Sequence, residues 1–514
     1  MRGRQGGALL LLGLLAFGMG VWALHGFLVD DAYIGFRYVR QAVQGQGWVY
    51  NVSERVEGYS NFLWLVLLLP AAAAGMDLVL AAKALGIAVG AGALVAGWAL
   101  ARHLLREEGL PEAWAGWAVV LLGCNPAFAA WAVGGLEAPL FALLVTLGAW
   151  RLAGEQQEGR ALPWSAFLLA LAAMTRPEGA LFFLLALGEQ AWCWVQRRQV
   201  PSRRSWAWTA AFACTFGPYL AWRWTTYGYP FPNTVYVKSW GLHPRAFLEG
   251  TYYLYQLVTL HGGLAFALGL PAAVFLASSG GGTARRVALW AGAYLFLTWL
   301  GGGDWMPLGR LGVHVLPLMH ALVVAGAARL ALALGGLRAR RWSTAVLAGT
   351  AALFLLQTAD LRLVQGVGAG PWVPPPTAQA RYLRDHVRPG DVVALTDAGH
   401  IAYFLPLDTR VVDMVGLTDA HVAHLPVQFP GGLLARGNGF GRWDVDYVLA
   451  QEPAWVQVNI LEGDPRAGTA RTNWTGTDLL LADPRFRAAY VYVVEPGDPE
   501  VRGLFRRRAP GEVE

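Results

Sequence analysis

The sequence predicts a polytopic α-helical membrane protein that carries a C-terminal α/β domain, and three observations carry that reading. The 514 residues are 55% hydrophobic and only 14% charged, where a soluble domain holds roughly 25% charged residues. Apolar runs recur from Leu9 to about Leu363. Beyond a proline-rich stretch at 371–376 the composition becomes ordinary and mixed. The chain divides accordingly into a membrane part, 1–370, and a soluble part, 371–514.

The elements follow in order. Met-Arg-Gly-Arg precedes an apolar stretch too long for the core of a signal peptide and lacking a small-x-small cleavage site, so 8–28 reads as an uncleaved first span. Further spans are expected at 80–101, 112–126, 136–152, 162–175, 178–195, 206–225, 258–277, 287–301, 312–334 and 343–362, eleven in all. Every second connection is rich in arginine: Arg102 and Arg106, Arg151 and Arg160, Arg197 through Arg204, Arg285 and Arg286, Arg338 through Arg341. Those loops are assigned to the cytoplasm with the N-terminus, which turns 29–79, 228–257, 302–311 and the C-terminal domain outward from a bacterial inner membrane. The apolar run 61–75 is laid in, or re-entering, the outer interface; counted as a span it would put Arg102, His103 and Arg106 outside. In the soluble part a helix is expected at 378–386, with strands at 391–396, 411–414, 447–450 and 490–494. Asp397, His400, Asp413 and Asp419 fall at strand ends or turns, which suits either binding or turn chemistry.

The net charge of +6 resides in loop arginines rather than in a basic soluble surface, which argues against nucleic acid and for a lipid bilayer as partner. Cys124, Cys193 and Cys214 lie inside apolar stretches, with neither ligand spacing nor a disulfide framework.

Polar groups gathered at one face of such a protein are where chemistry is expected. Asp30 and Asp31 follow the first span directly; two adjacent carboxyls repel, which raises one pKa toward that of a general base. Tyr33, Arg37 and Tyr38 continue the same helical stretch. Glu137 follows Gly134-Gly135-Leu136 at a helix start, a position that suits capping, substrate binding or a metal. Arg176 and Glu178 break an apolar region, either closing a turn together or presenting Arg176 to a phosphate. Asn233 and Lys238 sit in a loop of prolines and aromatics, with Lys238 suited to phosphate. Asp304, Trp305 and Arg310 follow a glycine run, with His314 one turn on. Acids together with phosphate-capable cations (Arg37, Arg176, Lys238, Arg310, His314) fit transfer of a sugar from a polyprenyl-phosphate donor to a cell-envelope glycan. Such a step needs a base for the acceptor hydroxyl and positive charge for the departing phosphate.

The string Asp30-Asp31-Ala32-Tyr33-Ile34, Phe36-Arg37-Tyr38, Gly45, Gly47, Asn51 and Glu54 through Trp64, which includes Tyr59 and Asn61, resembles the GT-C group of membrane glycosyltransferases. Within that group it is similar to the branch of the mycobacterial terminal arabinofuranosyltransferase. Segments 175–179, 230–238, 302–307, 397–403 and 411–419 share the likeness. The resemblance implies an inverting transferase using a polyprenyl-phosphate sugar, with an arabinofuranose-like pentose favoured, and Asp30 or Asp31 as base. Gly35 stands where a bulkier or hydroxylated residue is expected, and Ser60 where threonine is usual. Tyr33, Tyr59, Asn61, Glu137, Asn233, Asp304 and Trp305 are assigned to substrate. No cofactor is certain: Asp30, Asp31 and Glu137 could hold Mg²⁺ or Ca²⁺, or act without metal. Two rivals stand beside the enzyme, a lipid-linked sugar transporter and a non-catalytic assembly factor for an envelope or flagellar complex. No Walker or Rossmann signature supports a nucleotide-sugar donor.

Overall fold

The computed structural model describes residues 2–52, 54–158, 162–238, 243–259, 271–272, 274–276, 278, 281–333, 336–428, 441–467, 469–493, 501–509 and 511–512. Its first helix, α1 (Arg2–Ala23), packs against Ala115–Cys124. The two backbones meet where Gly123 lies on Gly13, an approach that leaves no room for a side chain. The opposite face of α1 exposes Leu11, Leu12, Leu15 and Met19, as a helix solvated by lipid does. Four described helices are long and apolar enough to cross a membrane: Gly6–Ala23, Leu78–Glu107, Leu316–Ala333 and Arg340–Leu363. Glu112–Cys124 and Pro126–Val133 make a fifth if that pair, bent by 60°, is one broken span. The bend falls at Asn125, whose side chain accepts from the Phe128 N–H and starts the second half afresh.

The other segments read as spans are helices too, among them Ala138–Glu158, Gly179–Arg197, Arg203–Tyr227 and Gly282–Leu300. Most of the expected span 258–277 lies outside the described residues. Two further helices shape the site. The amphipathic α2 (Asp30–Val43) follows α1, and α3 (Phe62–Ala73) precedes α4 (Leu78–Glu107). At 12 residues α3 is only about 18 Å long, short of a hydrocarbon core of about 30 Å.

The C-terminal part forms a five-stranded sheet of β1 (Val392–Leu395), β2 (Arg410–Asp413), β3 (Trp455–Gln457), β6 (Tyr490–Tyr492) and β7 (Leu504–Arg507), in the order β2-β1-β3-β7-β6. β1 runs parallel to both β2 and β3, while β7 is antiparallel to β3 and to β6. A separate two-stranded ribbon joins β4 (Ile460–Glu462) to β5 (Arg471–Thr472). The helix Ala378–His386 stands where the sequence puts it. Residues 447–450, expected as a strand, are instead part of the helix Val445–Ala450: the Asp444 carboxylate accepts from the Tyr447 N–H and caps its first turn. The late strand ends at Tyr492, and Val494 lies outside the described residues.

Two polar seams dock this sheet on the membrane part. Arg37, fully buried, donates to the carbonyls of Tyr50, Ala402, Leu407 and Thr409. Asn51 pairs with Val411 as a strand neighbour would, accepting its N–H at 3.0 Å and donating to its carbonyl at 2.9 Å. Asn233 donates to the carbonyls of Gly416, Leu417 and Asp419. The docking leaves the carboxyl ends of the parallel strands facing the start of α2.

Candidate functional site

The site begins at the first turn of α2, where two acids are favoured by the helix dipole. Both oxygens of Asp30 are engaged across the interface, accepting the Gly399 N–H at 3.0 Å and the His400 N–H at 2.6 Å. Gly399 makes this approach close, since a Cβ there would overlap the Asp30 carbonyl. The Asp30 carboxyl is pushed up to about 7, chiefly by burial and next by the charge of Asp397, with Asp31 a smaller contributor. Repulsion between the adjacent acids is therefore real but secondary. One residue on and about 100° around the helix, Asp31 turns away from this cap. Lys238 Nζ lies 3.4 Å from its Oδ2.

Two cavities meet at that pair. The first, of about 590 Å³, has an apolar side that includes Leu136, Phe231, Val235, Leu297 and Leu300. Its charged side holds Asp31, Glu137, Arg176, Lys238, Asp304 and Arg310. These charges are tightly ordered. Arg176 forks between Glu137 (2.5 Å) and Glu178 (2.8 Å), Asn61 donates to the second Glu137 oxygen at 2.9 Å, and Arg310 holds Asp304 at 2.7 Å. Arginine suits this planar, buried forking better than lysine would. Despite burial, the neighbouring Arg310 and Lys238 keep Asp304 below the usual carboxylate range. The second cavity, of about 570 Å³, lies between the glycine run, the helix Pro244–Thr259 and the carboxyl ends of β1 and β2. Asp31, Lys238 and Asp304 stand on the walls of both.

The sequence-derived candidates thus separate into three groups. Asp31, Tyr59, Asn61, Glu137, Arg176, Lys238, Asp304 and Arg310 line the first cavity. Asp30 and Trp305 line the second. Four candidates reach neither. Arg37 is fully buried and spent on backbone carbonyls, one of Tyr50 and three of the docked domain, so no phosphate can reach it. His314 is fully buried behind the wall, with Nδ1 2.6 Å from the Tyr294 hydroxyl. Tyr33 packs on His400, Tyr403 and Phe404, and Asn233 is the clamp already described. Among the described residues no group of three or more acids, histidines or cysteines is placed to hold a metal ion. The proposed trio is not gathered: Glu137 is engaged with Arg176 and Asn61, and Asp30 with backbone N–H groups.

Glu57 belongs to the long first motif but receives no role from the sequence; its carboxylate meets Arg223 at 2.6 Å. Burial pushes it up to about 7 against the pull of that arginine. The pair ties the segment carrying Gly58 through Asn61 to the end of the helix Arg203–Tyr227. Also passed over were Tyr252, Gln256, Asn473 and Trp474 of the second cavity, although the run Tyr252-Tyr253-x-Tyr255 was a usable signal.

The helical array has the fold of solved GT-C membrane glycosyltransferases. ArnT from Cupriavidus metallidurans bound to undecaprenyl phosphate superposes with a TM-score of 0.53 at 14% identity, covering 80% of this chain and 87% of that one. An oligosaccharyltransferase from Archaeoglobus fulgidus gives 0.52 at 10% identity, over 80% and 62%. The mycobacterial arabinofuranosyltransferase AftD gives 0.48 at 16% identity, over 99% and 40%, a level that decides nothing about the donor. A family model described as a domain of unknown function (DUF8728) matches residues 371–502. No curated protein sequence matches the chain.

Proposed function

We propose that this chain is an inverting glycosyltransferase that moves a sugar from a polyprenyl-phosphate donor to a cell-envelope glycan, with Asp31 as the general base. The observation that carries the reading is the position of Asp31 and Lys238 on the wall common to both cavities. A base must touch the acceptor hydroxyl, and a cation must stand near the departing phosphate oxygen; a shared wall satisfies both at once. The donor lipid enters the first cavity, its prenyl chain along Phe231, Val235 and Leu297 and its phosphate toward Lys238, Arg310 and Arg176. That a GT-C neighbour is known bound to undecaprenyl phosphate supports a lipid of this kind. The acceptor enters the second cavity.

In the transfer the acceptor oxygen forms a bond to the anomeric carbon as the bond from that carbon to the phosphate oxygen breaks. The polyprenyl phosphate departs with the electron pair, and the hydroxyl proton passes to Asp31. Asp30 is the poorer base because both its oxygens already accept backbone N–H groups. Lysine and arginine on this wall are assigned the charge stabilisation, with or without a divalent cation beside the acids. The sequence resemblance favours an arabinofuranose-like pentose. The arginine pattern supports a site on the outer face of a bacterial inner membrane, with a cytoplasmic N-terminus, 371–514 outside and the eleven spans read from the sequence.

The test is donor consumption by purified protein in detergent, supplied with polyprenyl-phosphate arabinose, mannose, glucose or galactose and a mixed envelope acceptor. Release of polyprenyl phosphate from one donor, dependent on acceptor, is expected. A folded protein that consumes none of them overturns the enzyme and leaves an assembly role in its place.

A further inference from the structure

We infer that the second cavity is a saccharide subsite built for a neutral, hydroxyl-rich glycan and against anionic ones. The inference rests on the glycosyltransferase reading for what enters the cavity, and on the wall itself for the chemistry. Asp30, Asp31, Glu249, Asp304, Asp397 and Asp413 all contribute to that wall, against two cations, Lys238 and Arg245. Each cation already faces an acid, Lys238 at 3.4 Å from Asp31 and Arg245 at 3.7 Å from Glu249. Asp304 is likewise held at 2.7 Å by Arg310 of the first cavity, so an incoming carboxylate or phosphate would meet a wall whose carboxyls outnumber its cations and whose cations are already paired, within a partly dry pocket.

Sugar hydroxyls need the opposite, a set of acceptors held in place. Asp397, just past the carboxyl end of β1, is held by Asn459 at 2.7 Å and Gln457 at 3.4 Å. Each of its oxygens thus receives a single amide hydrogen bond and keeps lone-pair capacity for a ligand. Gln256 and Asn473 add amides of either polarity. Beside the buried Tyr253, three more accessible aromatic rings complete the wall. Trp305 is 61% exposed and Tyr252 45% exposed, while Trp474 is half-buried. Aromatic rings with an apolar face and a polar edge suit the C–H faces of a pyranose or furanose. Trp305 also follows the glycine run Gly301–Gly303, so the loop bearing Asp304 into the reacting wall also presents the stacking ring.

The test uses the intact protein in detergent and fluorescently end-labelled trisaccharides: arabinotriose, mannotriose and galactotriose as neutral probes, trigalacturonate as the anionic counterpart of galactotriose. At least one neutral trisaccharide is expected to bind, and trigalacturonate at least tenfold more weakly than galactotriose. Trp305→Ala, Tyr252→Ala and Asp397→Asn should each weaken the neutral probe about tenfold, while polyprenyl-phosphate binding changes less than twofold. Binding of trigalacturonate as tight as that of the neutral probes, no binding of any neutral probe, or indifference to all three substitutions overturns the inference. Donor consumption measured on the same samples keeps the two claims apart. A protein that consumes donor but prefers the anionic acceptor refutes the subsite alone. One that binds neutral trisaccharide through Trp305 yet consumes no donor refutes the transferase alone.

Discussion

Lys238 Nζ and the Asp31 carboxylate lie 3.4 Å apart on the wall that the two cavities share. A lysine so placed orients the carboxylate at the edge of both cavities, and it brings a cation to the point where the phosphate oxygen would gather charge. Lys238→Met is expected to lower turnover by about 10²–10³-fold, the range for removing one donor to a developing oxyanion. Lys238→Arg should retain more. A full-rate Lys238→Met enzyme would remove the cation from the mechanism.

Asp30 has a different task. It caps the turn at Gly399 and His400, so Asp30→Ala should cost about 1–2 kcal/mol of stability, as loss of a cap does. The measurement is the midpoint of thermal unfolding in detergent beside Asp31→Ala, which should shift less.

The pH dependence of that stability has a definite sign. The folded values of Asp30 and Glu57 stand at about 7 and that of Asp413 at about 6, all above the unfolded value of roughly 4. A group raised in the folded state holds its proton more firmly there, so its contribution is complete at low pH and is lost as pH rises through the folded value. The unfolding midpoint should thus fall between pH 5 and 8, and fall less steeply in Asp30→Asn. A midpoint rising over that interval would contradict the burial of these carboxyls.

Arg37→Lys tests the docking of the soluble part. A lysine cannot fork to four carbonyls, and each buried carbonyl left without a partner costs about 1–3 kcal/mol. Loss of protease protection across 371–514 is expected, with activity falling in parallel. Gly399→Ala should act at a second contact of the same interface by forcing its Cβ against Asp30 and displacing the start of α2.

Much of this arrangement was legible in the chain. Runs of apolar residues announced the helices, and the segments around Asp31, Glu137, Arg176, Lys238 and Asp304 stood out because charge is expensive in hydrophobic surroundings. They are far apart in sequence, yet all reach the first cavity. What could not be read was which polar residues of the long first motif do chemistry and which hold the fold. Arg37 and Asn51 look as functional as Asp31, but their partners lie about 360 residues away, and no local pattern reveals them. His314 misled for a related reason: spacing put it beside Arg310, and only packing shows that it stands behind Tyr294. Residues 447–450 carry the apolar content of a strand, and the capping Asp444 decided otherwise.

The central claim is that Asp31, not Asp30, takes the acceptor proton. The most direct measurement is acceptor-dependent release of polyprenyl phosphate by wild type, Asp31→Asn and Asp30→Asn, with donor binding followed on the same samples. Asp31→Asn should bind donor as wild type does and lose about 10²–10⁴-fold in rate, the usual contribution of a general base. Asp30→Asn should retain most of its rate once its lower stability is allowed for. Near-normal turnover by Asp31→Asn, or the larger loss in a folded Asp30→Asn, would contradict the assignment.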